Sequence, residues 1–316
     1  MKPFAFVFPG QGSQAVGMLD AWGDHPAVGE TLREASDALG EDLGKLIAEG
    51  PKEALGLTTN TQPVMLVAGV AAYRAWMAET GAAPAVVAGH SLGEYSALVA
   101  SGVLSLAQAA PLVRFRAQAM QDAVPVGVGA MAAILGMEAS RVIEGCAEAL
   151  RSFGPGSAEV VEAVNFNDPM QTVIAGSKAA VEKACEVLKA NGAKRALPLP
   201  VSAPFHSSLM KPAADKLKEK LAATVFAVPL IPVVNNIEVA VETDADRIRA
   251  ALYAQAFGPV RWVECVLAIK ARGIPTVVEC GPGKVLAGMV KRIDAEMTGV
   301  ALFDPDSLKQ VKEALA

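Results

Sequence analysis

The stretch Val86-Val87-Ala88-Gly89-His90-Ser91-Leu92-Gly93-Glu94-Tyr95-Ser96-Ala97-Leu98 limits the fold more than any other. Residues 84–88 form a short apolar run, as expected of a strand buried on both faces. Residues 94–101 then read as a helix that ends at Gly102, a residue suited to a left-handed helix stop. A buried strand turning directly into a helix is the building unit of a parallel α/β sheet. The turn, Gly89-His90-Ser91-Leu92-Gly93, fits G-x-S-x-G. Its glycines permit a sharp turn that exposes the Ser91 hydroxyl, and the helix start directs N–H groups toward developing negative charge. The plainer alternative is a serine that only caps the helix.

The rest of the chain repeats this alternation. Residues 4–8 read as a strand stopped by Pro9-Gly10, and 62–79 as a helix with Pro63 near its first turn. Residues 105–123 read as a helix capped by Ser105, and Pro111 should kink or interrupt it. Strands follow at 231–234 and 276–280, and helices at 246–257 and 260–272. Gly281-Pro282-Gly283 leads into a last helical region. One segment has another rhythm: strand 129–135, helix 138–151, strands 159–165 and 171–175, helix 178–191, strand 194–200. That βαββαβ order is the ferredoxin-like unit. The expected architecture is therefore a large α/β domain, residues 1–126 and 201–316, with a small ferredoxin-like subdomain inserted at 127–200.

Composition narrows the classes. Of 316 residues, 52% are hydrophobic and 19% charged, which describes a globular chain. No uncharged apolar run reaches the about 18 residues of a membrane span. The longest, 64–73, ends at Arg74, and the N-terminus lacks a secretory apolar core. A soluble, cytoplasmic monomer is the expectation. The net charge of −5 argues against nucleic-acid binding. Cys146, Cys185, Cys265 and Cys280 form no C-x-x-C pair, so buried free thiols are expected rather than a metal site or disulfide frame. Gly10-Gln11-Gly12-Ser13-Gln14 after a strand suggests a dinucleotide loop, but the next glycine, Gly17, breaks the G-x-G-x-x-G spacing.

A nucleophilic serine needs a base. The chain has three histidines. His90 adjoins Ser91, where side chains diverge in so tight a turn, and His25 lies in a polar N-terminal stretch. His206 follows the return from the inserted segment and is the favoured base. A hydrolase triad would add an acid between the two in the chain. Asp122 and Asp168 are available, neither in a telling context, and a backbone carbonyl could instead fix the imidazole tautomer.

Six motifs then occur in order: GQGSQ (10–14), GHSLGEYSAL (89–98), GAMAAILG (129–136), NDPMQTVIAG (167–176), PFHSSLMKPA (204–213) and ECGPGKVLAG (279–288). Over nearly the whole chain the set resembles the malonyl-CoA:acyl carrier protein transacylases of bacterial fatty acid synthesis. The resemblance implies an α/β-hydrolase-like core with the inserted subdomain. It also implies that Ser91 is acylated, His206 is the base, and the N–H groups of Gln11 and Leu92 form the oxyanion hole. By the same resemblance Arg116 binds the substrate carboxylate and the main-chain carbonyl of Gln255 orients His206. Phe205 and Leu92 stand where bulk goes with malonyl over methylmalonyl in related domains. No cofactor or metal is implied beyond the coenzyme A thioester as substrate. Departures from the family pattern are Ala117, Gly258 and Pro111.

An acid-bearing acyl group gives Arg116 a physical purpose, because a carboxylate entering an apolar cleft needs a partner and guanidinium grips it bidentately. Arg114 and Arg116 point differently on a helix, so at most one enters a site. The acceptor would be an acidic acyl carrier protein, for which the basic clusters Lys211, Lys216, Lys218, Lys220 and Lys284, Lys291, Arg292 are candidates, ordinary solvated faces being the plainer reading. The rivals are a serine thioesterase or esterase on the same core, a malonyltransferase of polyketide assembly, and a non-catalytic carrier-docking scaffold.

Overall fold

The computed structural model describes residues 1–201 and 203–316. Among them, nine strands form two sheets. In chain order these are β1 (Phe4–Phe8), β2 (Val86–Gly89), β3 (Gly129–Leu135), β4 (Val161–Asp168), β5 (Gln171–Ser177), β6 (Arg195–Pro198), β7 (Val233–Val234), β8 (Thr276–Cys280) and β9 (Thr298–Leu302). The order β7-β2-β1-β8-β9 makes a parallel sheet. The order β4-β5-β3-β6 makes a separate antiparallel sheet. The chain is thus mixed α/β.

Strand β1 explains the parallel layer. Phe4, Phe6 and Phe8 point to one face, where Trp76 of the Thr58–Thr80 helix meets Phe4 and Phe6 edge-on at 5.6 and 5.7 Å. Ala5 and Val7 point to the other, where Trp262, Cys265, Val266 and Ile269 of the Trp262–Ala271 helix cover them. With helices on both faces every residue of β1 is buried, which is why the strand reads as an unbroken apolar run.

In β3 the alternation sorts residues by purpose. Ala132 and Ile134 pack under the Ala139–Arg151 and Lys178–Ala190 helices. Met131 and Ala133 turn the opposite way, into the core shared with the parallel layer. A slip of one residue would exchange the two sets. Backbone bonds join the layers: Val260 N–H donates to Val164 O at 2.8 Å, and Phe166 N–H to Val260 O at 3.0 Å.

Several sequence expectations need correcting. The helix expected at 62–79 begins earlier, at Thr58, and Pro63 lies inside it. The Thr61 hydroxyl donates to Leu55 O and the Asn60 amide to Ala54 O, so polar side chains anchor a first turn that apolar periodicity does not reveal. The Leu106–Ala123 helix runs through Pro111 without interruption. Pro111 and Ala107 both lie on its exposed face, so water can serve the Ala107 carbonyl that loses its partner. Its Ser105–Gln108 capping box fixes the start. The strand expected at 231–234 shrinks to β7, while β9 and the Pro305–Ala314 helix extend the chain beyond the last helix expected. Among the described residues no helix is long and apolar enough to cross a membrane. The four cysteines are free; Cys185 is half-buried and the others are buried.

Candidate active site

Strand β2 ends at Gly89 and the Gly93–Ala100 helix begins after a turn too tight for side chains at its ends. A Cβ on Gly89 would lie 1.9 Å from the Gly93 carbonyl carbon, and one on Gly93 would lie 2.0 Å from Phe8 O. Between them Ser91 is forced to φ 54°, a left-handed conformation that costs a non-glycine residue about 1–3 kcal/mol. Asn236 holds it there. Its Oδ1 accepts from Ser91 N–H at 2.8 Å, and its Nδ2 donates to Gly89 O at 2.7 Å.

His206 Nε2 lies 2.6 Å from Ser91 Oγ, and its Nδ1 lies 2.8 Å from the main-chain oxygen of Gln255. A carbonyl can only accept, so Nδ1 carries the proton and Nε2 is left bare toward the serine. Burial first, and the Arg116 charge second, push the imidazole down to about 3. The two aspartates considered as third members lie elsewhere. Asp122 accepts from Gln118, and Asp168 pairs with Arg292 at 2.8 Å. The carbonyl takes the place of the acid. His90 turns away from Ser91, with Nε2 2.8 Å from Asn167 Oδ1 and its ring edge-on to Trp262. His25 caps the Pro26–Leu39 helix between Trp22 and Glu79, more enclosed than a polar loop would leave it.

Arg114 and Arg116 diverge as helix geometry requires. Arg114 makes a bidentate pair with Glu41 at 2.8 and 2.6 Å. Arg116 is 2% exposed and points inward. Its Nη1 donates to Gln62 Oε1 at 2.8 Å, and its Nη2 to Gln255 Oε1 at 3.0 Å and Ser91 Oγ at 3.3 Å. The Tyr95 ring lies 5.6 Å away. Every one of those hydrogen-bond partners is neutral. Among the described residues its Nε meets no acceptor. Glu94 is the buried acid within range of its charge, and a buried guanidinium with no carboxylate hydrogen-bonded to it is suited to hold an anion.

Ser91, His206, Arg116 and Gln62 open on one cavity of about 330 Å³ between the layers. Ser91, Leu92, Gln11, Arg116 and His206 line one side. Met131, Ala133 and Val173 of the antiparallel sheet, with Leu199 and Phe205, line the other. Leu92 stands at the N-terminal end of the Gly93–Ala100 helix, where N–H groups lack intrahelical acceptors. Part of each basic cluster is engaged within the chain. Lys211 pairs with Asp215, Lys218 lies over Tyr253, Lys220 lies over Phe115, and Lys284 lies over Phe303.

Sequence reasoning missed Gln62, Asn167, Asn236 and Glu94 as parts of this site. Glu94 offered the best signal, the one charged residue in the mostly buried Gly93–Ala100 helix. It is 2% exposed, and burial pushes its carboxyl up to about 7.

Comparison with known proteins agrees with this geometry. Residues 5–301 match the acyl transferase domain family. The malonyl CoA-acyl carrier protein transacylase of Escherichia coli K12 is 52% identical, covering 99% of this chain and 100% of its own length. The acyl-carrier-protein S-malonyltransferase of Burkholderia pseudomallei is 64% identical, with a TM-score of 0.95 over 99% of this chain and 100% of its own. A malonyl-transacylase solved in complex with its type II PKS acyl-carrier protein is 48% identical, with the same TM-score over 99% of this chain and 100% of that one. The chain belongs to the malonyl-CoA–acyl carrier protein transacylase family of acyltransferases.

Proposed function

We propose that the protein moves a malonyl group from malonyl-CoA to the pantetheine thiol of an acyl carrier protein, through a malonyl ester on Ser91. The observation that carries this is the meeting of Ser91, His206 and Arg116 at one cavity, with the nucleophile 2.6 Å from its base and 3.3 Å from a buried cation.

Arg116 takes the malonyl carboxylate, which sets the thioester carbon beside Ser91 Oγ. His206 Nε2 accepts the hydroxyl proton as Oγ bonds to that carbon. The N–H groups of Gln11 and Leu92 hold the developing oxyanion. The intermediate expels coenzyme A, and the C–S electrons leave with sulfur, which receives the proton from His206. In the second half the carrier thiol yields its proton to His206 and attacks the ester, and Ser91 leaves with the proton restored. This is ping-pong chemistry. Bonds, protons and charge balance with thioester, serine, imidazole and thiol, so neither half calls on a metal or resident cofactor. Arg116 favours malonyl over acetyl, and Phe205 with Leu92 leaves little room for a methyl branch.

The five-stranded layer with its serine turn supports an α/β-hydrolase-like core over 1–126 and 201–316. The strand order β4-β5-β3-β6 supports a ferredoxin-like insert over 127–200. The neighbour solved with its carrier supports an acyl carrier protein as acceptor here. The 52% identity with the Escherichia coli relative favours fatty acid synthesis as the setting. The test is transfer of radiolabel from malonyl-, methylmalonyl- and acetyl-CoA to a holo carrier protein. Malonyl should move fastest. Release of free malonate as fast as carrier loading would instead assign a thioesterase.

A further inference from the structure

Behind the reacting atoms lies a carboxyl that no step of the transfer uses. Glu94 sits one helical turn beyond Ser91, buried, and a single oxygen, Oε2, accepts two hydrogen bonds. One comes from the main-chain N–H of Asn236 at 2.9 Å, the other from Gln255 Nε2 at 3.0 Å. Those two residues are the arms that hold the dyad. Asn236 clamps the serine turn through Ser91 N–H and Gly89 O. Gln255 presents the carbonyl that aims His206, accepts from Arg116 through Oε1, and donates to Ser91 O at 3.0 Å through the same Nε2 that reaches Glu94.

We infer that Glu94 is a positioning residue, a shared brace that sets the distance between the Ser91 hydroxyl and the His206 imidazole by fixing Asn236 and Gln255 at once. The inference deepens the transfer reading and rests on it. The two arms come from segments 142 and 161 residues away in the chain; both bond the main chain of Ser91, and among the described residues Glu94 is the side chain shown bonding both. Because each bond needs only an acceptor oxygen, the brace acts whether or not the carboxyl is ionised, in keeping with burial that pushes Glu94 up to about 7. An amide oxygen would serve equally well. The brace touches no substrate, and Gln62 still holds Arg116 without it, so its loss should lower the acylation rate far more than substrate affinity. Misplacement on the scale of 1 Å costs on the order of 100-fold in rate.

The test is single-turnover malonyl loading followed by quench and mass spectrometry, over a range of malonyl-CoA, with Glu94→Ala, Glu94→Gln and Glu94→Leu. Glu94→Ala should load about 100-fold more slowly at saturation with half-saturation within about threefold of wild type, and Glu94→Gln should recover to within a few-fold. A wild-type rate in Glu94→Ala would overturn the brace. So would a folded Glu94→Gln as slow as Glu94→Ala, because charge rather than an acceptor would then be the requirement. If Glu94→Ala does not fold, Glu94→Leu, of similar volume but with no acceptor oxygen, decides: it should lose rate at nearly unchanged half-saturation, and an unchanged rate overturns the inference. A wild type that takes no malonyl adduct would overturn the transfer reading and the brace together, whereas normal wild-type loading beside an unaffected Glu94→Ala removes the brace alone.

Discussion

The two walls of the cavity are built on opposite principles. On the parallel-sheet side each reacting group is tied by hydrogen bonds to backbone or buried amides: Ser91 by Asn236 and Gln255, His206 by Gln255, Arg116 by Gln62 and Gln255. On the antiparallel side the cavity meets Met131, Ala133 and Val173, which have no directional bond to give, with Asn165, Asn167 and Gln171 as the polar exceptions. One wall fixes angles for chemistry, and the other supplies shape. The contrast teaches where substitutions should abolish the reaction and where they should only retune it.

The largest effect belongs to the fixed wall. Ser91→Ala should remove malonyl loading altogether, read as absence of acid-stable label on the protein. Residual loading at a tenth of the wild-type rate would move the nucleophile elsewhere. Next, Arg116→Ala should lose on the order of 3–5 kcal/mol of malonyl over acetyl preference, the scale of a buried charge left without its partner. The ratio of kcat/KM for the two thioesters measures it, and an unchanged ratio would free Arg116 from the substrate. Smaller is the effect at the boundary of the two walls. Phe205→Ala should narrow the malonyl over methylmalonyl preference by about 1–3 kcal/mol, the range for one methyl in an apolar pocket.

Between the walls runs a side-chain tie, His90 Nε2 to Asn167 Oδ1 at 2.8 Å, beside the Val260 backbone bonds and the Arg292–Asp168 pair. Asn167→Ala should cost about 1–3 kcal/mol of stability in denaturant unfolding, since a buried ring nitrogen loses its partner. No cost would mean that the backbone bonds, the Arg292–Asp168 pair and apolar packing suffice to join the walls. The last prediction is an absence of change. His206 is held near 3 rather than 6.5, mainly by burial and then by Arg116, so it remains neutral in the folded protein. Loading kcat/KM should therefore stay flat as pH falls from about 7.5 to about 5.5, whereas an ordinary histidine base would lose most of its rate there. The same shift has a sign for stability. The unfolded chain binds a proton at His206 below its ordinary value and the folded chain does not, so this residue destabilises the fold progressively as pH drops from 6.5 toward 3.

How much could be read in advance follows the same division. Strands covered on both faces, β1 and β8, stand out in sequence as apolar runs bounded by glycine and proline. Strand β9 was missed because it is an edge strand whose residues are mostly half-exposed, which breaks that signal. Ser91 and His206 were accessible because a G-x-S-x-G turn is local and three histidines can be enumerated. Arg116 and Gln255 came only through family resemblance, since nothing local separates Arg116 from Arg114 and a main-chain carbonyl has no residue signature. Asn236 and Glu94 were missed because their purpose lies in bonds between segments 142 residues apart, and neither residue type reveals such a partner.

The most direct measurement is peptide mapping by mass spectrometry after brief mixing with malonyl-CoA, before and after adding holo carrier protein. The account predicts one malonyl group on the peptide that contains Ser91, which vanishes on carrier addition as the same group appears on the carrier. A malonyl group on another peptide, or one that drains to free malonate equally fast without a carrier, would contradict it.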